Sequence, residues 1–374
     1  MRIVILSREY PPLVLGGQGT FVKLIARTLA NRGHQITLII PRQDGSIEVP
    51  EGVEVHQVPL IGKSFITRVP SFFIASMPKI NSVIKNADIV YAHGSLVWSL
   101  KNTPVLTHLH SSRLQLARAS FRSKKFFHAV VNALFYIYDW LLVAQSDAII
   151  TPNTMNLRLA SNSSSKLGKT IYQVPNGIDI KVILKLRRKF ATEKTYLFDE
   201  FRPMRVLYYG RVDASKGLDT LIRAILLATH INVTLTIMGE GPLKQRLEQQ
   251  AALMAKQITF VDAKEYEKAL RFASDFDLVI LPSLFESFGM VTIESMALGV
   301  PVLTSDACPE FGQPTFKAGD ERSLIEAMSD VYHNYRVHLA RAASLQKSVA
   351  KYDIGQTADK IIELMHEIVE SHRS

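Results

Sequence analysis

The chain of 374 residues contains a single cysteine, Cys308. One thiol closes no intrachain disulfide, so nothing in the sequence asks for an oxidising compartment. No secretory leader is recognisable: the opening MRIVILSREYPP lacks a basic start, a longer apolar stretch and a small-residue cleavage site, and reads as a core strand. Nor is there an uninterrupted span for a bilayer. Phe126–Val143, FFHAVVNALFYIYDWLLV, has about the right length, but His128, Asn132, Tyr136 and Asp139 break it. Their offsets of 4, 8 and 11 place them on one stripe, the mark of an amphipathic or mostly buried helix. Acid is absent between Asp88 and Asp139, where Lys101, Arg113, Arg118, Arg122, Lys124 and Lys125 all fall. Zinc-finger spacing, a basic-region zipper and RNP-type aromatic motifs are missing as well, so nucleic acid is not an expected partner.

What is present is an ordinary globular composition. Hydrophobic residues make up 47% and charged residues 21%, which excludes a disordered chain, and 19 Gly with 16 Pro exclude a fibrous one. The length suits two domains, at roughly 100–200 residues each. The net charge of +10 lies entirely in residues 1–180, where nineteen Lys and Arg face nine Asp and Glu; the remainder is neutral. A positive potential confined to one half attracts polyanions or an anionic lipid surface. The expected location is cytoplasmic, with peripheral attachment at the inner face of the cell membrane.

Strand-like apolar runs alternate with helical patterns, which predicts parallel sheets covered by helices. One series runs from Ile3–Leu6 to Ala148–Pro152, and a second restarts at Arg205–Tyr209 and continues to Val300–Thr304. Two such series predict two doubly wound Rossmann-like α/β domains. The expected division is an N-terminal domain over 1–178, a C-terminal domain over 179–354, and a helix over 355–374 that is free to pack back on the N-terminal domain. The join is expected in the polar, strongly charged stretch that follows Tyr172–Asp179 and runs to about Arg202.

Three places carry candidate chemistry. Leu15-Gly-Gly-Gln-Gly-Thr20 joins the first strand to the first helix, and Gly16 and Gly17 let backbone approach a ligand at a helix N-terminus. The spacing is not that of the dinucleotide fingerprint, and Pro41-Arg42 stands where an acid would bind the ribose, so a nicotinamide dehydrogenase is disfavoured. In GRVDASKG, Arg211 and Lys216 lie at a strand end, placed to neutralise a diphosphate. The stretch from Asp277 to Val302 then takes a buried strand into a helix expected to open at Ser287-Phe288-Gly289-Met290, whose N–H groups suit a phosphate. Glu286 precedes that helix and Glu294 is expected about two turns inside it.

This last stretch resembles the E-x7-E signature of retaining nucleotide-sugar glycosyltransferases of family 4, which have the GT-B fold. GGQGTFVKLIARTLANRGHQITLI, DIVYAHG, VPNGID, GRVDASKGLDTLIRA and GEGP resemble other segments of that family, in the family's order, from residue 1 to about 305. The resemblance implies two Rossmann-like domains facing each other across a cleft, and transfer of a sugar from a UDP- or GDP-linked donor to a hydroxyl of a glycan or lipid-linked acceptor; the charge split and the Phe126–Val143 stretch suggest that this acceptor is anionic or lipid-linked. It implies that Arg211 and Lys216 hold the donor diphosphate and the Ser287–Met290 backbone cradles it. Gly239 belongs to a donor-site turn, Glu294 reaches the ribose hydroxyls and Glu286 lies against the sugar. Gly16 and Gly17 would approach the diphosphate from across the cleft. The family's histidine matches His110, with His108 the alternative, and would contact the transferred sugar. No cofactor beyond the nucleotide-sugar co-substrate and no metal are implied, since Arg and Lys supply the positive charge. Asp275-Phe276-Asp277 looks like a metal-binding D-x-D but sits where the family has a structural lead-in to a buried strand. The chain departs from the family after Pro301, where Ala307-Cys308 replaces a glycine pair and the following turn is short. An epimerase on the same fold and a noncatalytic nucleotide-sugar-binding homologue are the alternative readings.

Overall fold

The computed structural model describes residues 1–374 except 13–16, 44–45, 63–64, 98–102, 112–116, 118–129, 131–132, 134–135, 153–167, 192–197, 199–200, 255–256 and 374. The described residues form two compact units, one from 1–177 together with 354–374 and the other from 178–353. The six basic residues of the acid-free stretch (Lys101, Arg113, Arg118, Arg122, Lys124 and Lys125), Gly16, and most of Phe126–Phe135 lie outside the described residues.

In the first unit β1 (Arg2–Ser7) leads to α1 (Gly17–Asn31), β2 (Gln35–Pro41), β3 (Val53–Val58) and α2 (Phe65–Val83). β4 (Ile89–His93), β5 (Val105–His108), α3 (Tyr136–Gln145), β6 (Ala148–Thr151) and β7 (Thr170–Gln173) follow. The strands form one parallel sheet in the order β3-β2-β1-β4-β5-β6-β7. Ile3 to Ser7 and the whole of β4 and β5 are buried, as strands covered on both faces must be. Chain order reverses between β1 and β4, and the register sets Ser7 beside His93 and His93 beside His108. Two histidines therefore sit together at the carboxyl edge where such sheets take ligands.

The second unit begins with α4 (Ile180–Ala191) and β8 (Met204–Tyr209), then α5 (Leu218–Leu227), β9 (Val233–Met238), α6 (Lys244–Met254), β10 (Ile258–Val261) and α7 (Tyr266–Ala273). β11 (Leu278–Leu281), α8 (Met290–Leu298), β12 (Val302–Ser305), β13 (Thr315–Phe316), α9 (Glu321–His333) and α10 (Tyr335–Ser348) complete it. Its parallel sheet has the order β10-β9-β8-β11-β12-β13, so its switch point lies between β8 and β11. Val206 and Tyr208 of β8 pack with Leu221 and Ile225 of α5 and with Leu324 and Met328 of α9 in one buried core. The last helix, α11 (Ile354–Arg373), packs on α1 in the first unit, and Arg32 pairs there with Asp359 at 2.9 Å.

Two sequence expectations need correction. The charged stretch read as a join contains α4, which packs on α7 and α8. Its Ile180 and Ile183 are buried while Lys181, Lys185 and Arg187 to Lys189 occupy its outer faces, so the charges mark a solvated helix face instead of a linker. The helix after β11 starts at Met290, because Gly289 adopts the left-handed conformation at φ 76° and caps it. Glu294 consequently stands about one turn inside α8, and Ser287 to Gly289 precede the helix.

Candidate active site

Apart from Gly16 and Gly17 of the first unit, the donor candidates gather at the carboxyl edge of the second sheet, on its loops and, for Met290 and Glu294, in α8. After β8, Asp213 caps a 3-10 turn over Ala214–Lys216, and its Oδ1 accepts from the Ser215 N–H and hydroxyl, each at 2.6 Å. That turn fixes the backbone of Lys216 and leaves the other carboxylate oxygen of Asp213 to pair with Arg211. Gly217 closes the turn at φ 63°, where a Cβ would stand 2.1 Å from the Pro282 carbonyl oxygen. A side chain is excluded twice over, by conformation and by space, because the loop after β8 rests directly on the end of β11. The Leu284 N–H donates to the Ser215 carbonyl at 2.7 Å and ties the two loops. Gly239 does the same for β9: a Cβ there would lie 1.8 Å from the Gly210 carbonyl oxygen.

This lacing brings Arg211, Lys216 and Glu286 into one group. Lys216 Nζ donates to Glu286 Oε2 at 2.6 Å, with both side chains largely buried. Burial alone would lower the Lys216 pKa, but the adjoining Glu286 carboxylate more than offsets it and the ammonium is held more firmly than usual. No side chain caps α8, so its first-turn N–H groups face the same edge, ready for an anion. The Phe288 ring meets Phe311 and Tyr352 edge-on, so this residue serves the loop through its backbone while its side chain anchors it. Met290 is buried as well.

Glu294 is 4% exposed, and the Tyr209 hydroxyl donates to its Oε2 at 3.3 Å. Burial pushes its carboxyl up to about 7, against the pull of hydrogen bonds from Tyr266 and Tyr209. The charge of Glu294 in turn adds to burial in raising both phenols. A carboxyl poised in this way accepts hydrogen bonds strongly once ionised, which suits a pair of hydroxyls. Cys308 lies nearby but is buried, and burial pushes its thiol up to about 12, so it is no nucleophile.

In the first unit Gly17 opens α1 and is exposed, and Gln18 reaches back to the His93 carbonyl at 3.2 Å. Both His108 and His110 are buried, and His93 joins them. One nitrogen from each of the three lies within 4.8 Å of the others, a separation that suggests a metal. The ring geometry argues against one. His108 and His110 stack with centroids 4.0 Å apart and planes 12° apart. A metal bonds imidazole in the ring plane at about 2.0–2.1 Å, and two stacked, nearly parallel planes cannot both contain one ion.

The sequence missed four of these residues. Asp213 was available from the D-x-S turn signal in GRVDASKG. His93, within DIVYAHG, ends β4 as His108 ends β5, but only the sheet register shows that they are neighbours. Tyr209 and Tyr266 come from different elements and have no signal in the chain.

Comparison with known proteins gives the family and the fold. Residues 15–182 match the model described as Glycosyltransferase Family 4, and residues 199–332 match Glycosyl transferases group 1. A glycogen synthase of Mycobacterium tuberculosis is 29% identical over 339 residues, covering 82% of this chain and 78% of that one. Among solved structures, a sucrose-phosphate synthase of Thermosynechococcus elongatus superposes with a TM-score of 0.80 at 19% identity, over 99% of this chain and 100% of that one. HepE of Anabaena, in complex with UDP and glucose, superposes at 0.68 and 18% identity, over 98% and 99%. With both sheets doubly wound, both halves matched and the signature glutamates seated at a sheet edge, this chain belongs to the group 1, family 4 glycosyltransferases of GT-B fold.

Proposed function

We propose that this glycosyltransferase takes its sugar from a nucleoside diphosphate, UDP- or GDP-linked, and passes it with retention of configuration to a hydroxyl of a glycan or lipid-linked acceptor. The observation that carries the reading is the group of Arg211, Lys216 and Glu286 with the N-terminus of α8, gathered at the switch point of the second sheet. Arg211, Lys216 and the Ser287–Met290 backbone bind the diphosphate, Glu294 takes the ribose hydroxyls, Glu286 lies against the sugar, and the tight loop at Gly239 shapes the pocket. The leaving diphosphate gains charge as the glycosidic bond breaks, and fixed cations stabilise that charge more than they stabilise the bound donor. The acceptor oxygen bonds to the anomeric carbon from the face the nucleotide leaves, and its proton passes to the departing diphosphate oxygen. The reaction as proposed needs no metal and no cofactor beyond the donor; Gly16 and Gly17 approach the diphosphate and His110 contacts the transferred sugar.

The acceptor is proposed to be anionic or lipid-borne and met at the inner face of the cell membrane. On α3, Ile137, Trp140 and Leu141 are 64%, 43% and 41% exposed at i, i+3 and i+4, an apolar stripe in the half of the chain that carries all the net positive charge. Among the described residues no helix is long and apolar enough to cross a membrane.

The test is thermal unfolding with UDP, GDP, ADP and TDP, on the wild type and on Arg211→Ala/Lys216→Ala. A ligand at 100 times its Kd adds about 2.7 kcal/mol, or roughly 5–10 °C in a unit of this size. One nucleotide should stabilise the wild type and leave the double variant unmoved. Equal shifts in both proteins, or none with any nucleotide, would remove the diphosphate site.

A further inference from the structure

The carboxyl edge of the first sheet holds more imidazole than sugar contact requires. His93 ends β4, His108 ends β5 and His110 follows two residues later; all three are buried. His93 Nδ1 and His110 Nε2 are 2.9 Å apart, with the ring centroids at 5.2 Å and the planes within 18°. Two rings nearly coplanar and nitrogen to nitrogen share one proton in an N–H···N hydrogen bond. His108 stacks flat on His110, and its own Nδ1 is bonded to the Tyr91 hydroxyl at 2.7 Å. Phe21 of α1 closes the group, edge-on to His108 and His110 with centroids at 5.1 and 5.7 Å.

The ordinary account of a buried histidine is that it satisfies a local backbone group. His93 does not fit that account. Its Nε2 is buried and meets no hydrogen-bond partner among the described residues, so its side chain has one hydrogen bond there, and that bond goes to His110. An imidazole kept in the interior with one nitrogen unsatisfied is costly. The cost is understandable if the remaining nitrogen orients a ring that matters.

We propose that His93 is a positioning residue for His110, holding the Nε2 edge of that ring so that it meets the sugar with its Nδ1 edge. The proposal rests on the reading that His110 addresses the transferred sugar. Burial keeps both rings neutral at ordinary pH, with the charge of Arg8 adding to the effect on His110, so one proton lies between them. Wherever that proton resides, the Nε2 edge of His110 is occupied. Stacked His108 and edge-on Phe21 stop the ring from tilting, and the hydrogen bond stops it from turning over in its own plane. The His110 ring is thereby fixed in orientation, the condition under which a hydrogen bond to a reacting sugar favours the transition state.

Three substitutions separate positioning from packing. His93→Leu removes the hydrogen bond at similar volume. His93→Asn places an amide where Nδ1 stood, and His93→Gln places it one carbon further on, where Nε2 stood. The expected result is a fall in kcat of about 10–100-fold for His93→Leu and His93→Gln, with the KM for the nucleotide sugar unchanged within about three-fold. His93→Asn should recover most of the rate. Wild-type turnover in His93→Leu, or equal loss in His93→Asn and His93→Gln, would overturn the proposal. A second readout is independent of turnover: 15N-histidine NMR should show coupling across the hydrogen bond between His93 and His110 in the wild type. In His93→Leu and His93→Gln the His110 ring signals should double or broaden. If no donor is turned over, the transferase reading fails while the NMR still judges the positioning; absence of the coupling overturns it.

Discussion

Replacing Asp277 with asparagine asks whether Asp275-Phe276-Asp277 is scaffold or chemistry. The carboxylate is 1% exposed and accepts from both terminal nitrogens of Arg202, at 2.6 and 2.8 Å, and from the Arg205 N–H at 2.8 Å. Burial pushes its pKa up, but the bonds from Arg202 and Arg205 more than reverse this and hold it below the usual carboxylate range. Asparagine keeps the shape and one acceptor oxygen and deletes the charge. Breaking a buried pair by altering one partner costs about 3–5 kcal/mol. Arg202 is 27% exposed and can recover some hydration, and the Arg205 guanidinium, 3.5 Å away, is 44% exposed and contributes little. The lower end therefore applies, about 3 kcal/mol, equivalent to a Tm lower by roughly 6–12 °C in a unit of this size. Asp275 is the control: its partner is Arg271 one turn back on the surface, and Asp275→Asn should cost less than about 0.5 kcal/mol. The assay is thermal unfolding of the full chain at pH 7, followed by nucleotide binding with and without magnesium. A lowered carboxylate pKa contributes stability above the unfolded value near 3.8, and the contribution is lost as pH falls through the folded one, so at pH 7 the difference is complete. If Asp277→Asn melts within about 1 °C of wild type but loses magnesium-dependent nucleotide binding, the carboxylate is chemistry and the reasoning is refuted.

Two further expectations can be checked with the same protein. Glu294 has its carboxyl raised by burial from 4.5 to about 7, so the stability it lends is complete below 4.5 and is lost as pH rises through 7; Glu294→Gln should gain Tm relative to wild type over that interval, and a difference that does not change with pH would contradict the burial. For α3, flotation with anionic liposomes should recover more protein than flotation with neutral ones, and Trp140→Ser/Leu141→Ser should lower both recoveries. Equal recovery of the wild type on the two lipids would end the electrostatic part of the membrane proposal.

The parts of the fold that can be read in the chain are those where burial dictates residue type on its own. β1, β8 and β11 are sheet-centre strands covered on both faces, and they appear as short apolar runs at their observed positions. α2 assigns itself to no element by sequence because Pro70 and Pro78 interrupt its helical pattern, yet it packs against β2 and β3 as a helix, with packing overriding propensity. α4 was hidden by its own charges. β13 has only two residues, Thr315–Phe316, and is defined by pairing with β12 and not by any pattern of its own. At the site the residues proposed to meet the donor directly, Arg211 and Lys216 on one loop and Glu286 on another, stand within recognisable motifs. Those that act through a neighbour do not. His93 matters through His110, Tyr209 and Tyr266 through Glu294, and such relations exist only after the strands have been set in register.

The charges of the donor group balance before any ligand arrives: Asp213 answers Arg211, and Glu286 answers Lys216. A site built only to bind a diphosphate tightly would leave its cations unopposed. Here each carboxylate holds its cation by one side and leaves donors on the other. Asp213 takes the Nε side of the Arg211 fork, and Glu286 takes one of the three ammonium donors of Lys216. The counter-charges weaken attraction for the bound donor and for the released nucleotide, and at the same time remove the entropy and reorganisation that two mobile cations would otherwise have to lose. In the proposed reaction, what the fixed cations would still favour is the increase in negative charge on the diphosphate as the sugar departs, because that increase would meet dipoles and charges already in place. Under that proposal the arrangement trades ground-state affinity for transition-state stabilisation, and the loop geometry supports it: the Asp213 turn, the left-handed Gly217 and its contact with the end of β11 set Lys216 where it meets both Glu286 and the sheet edge.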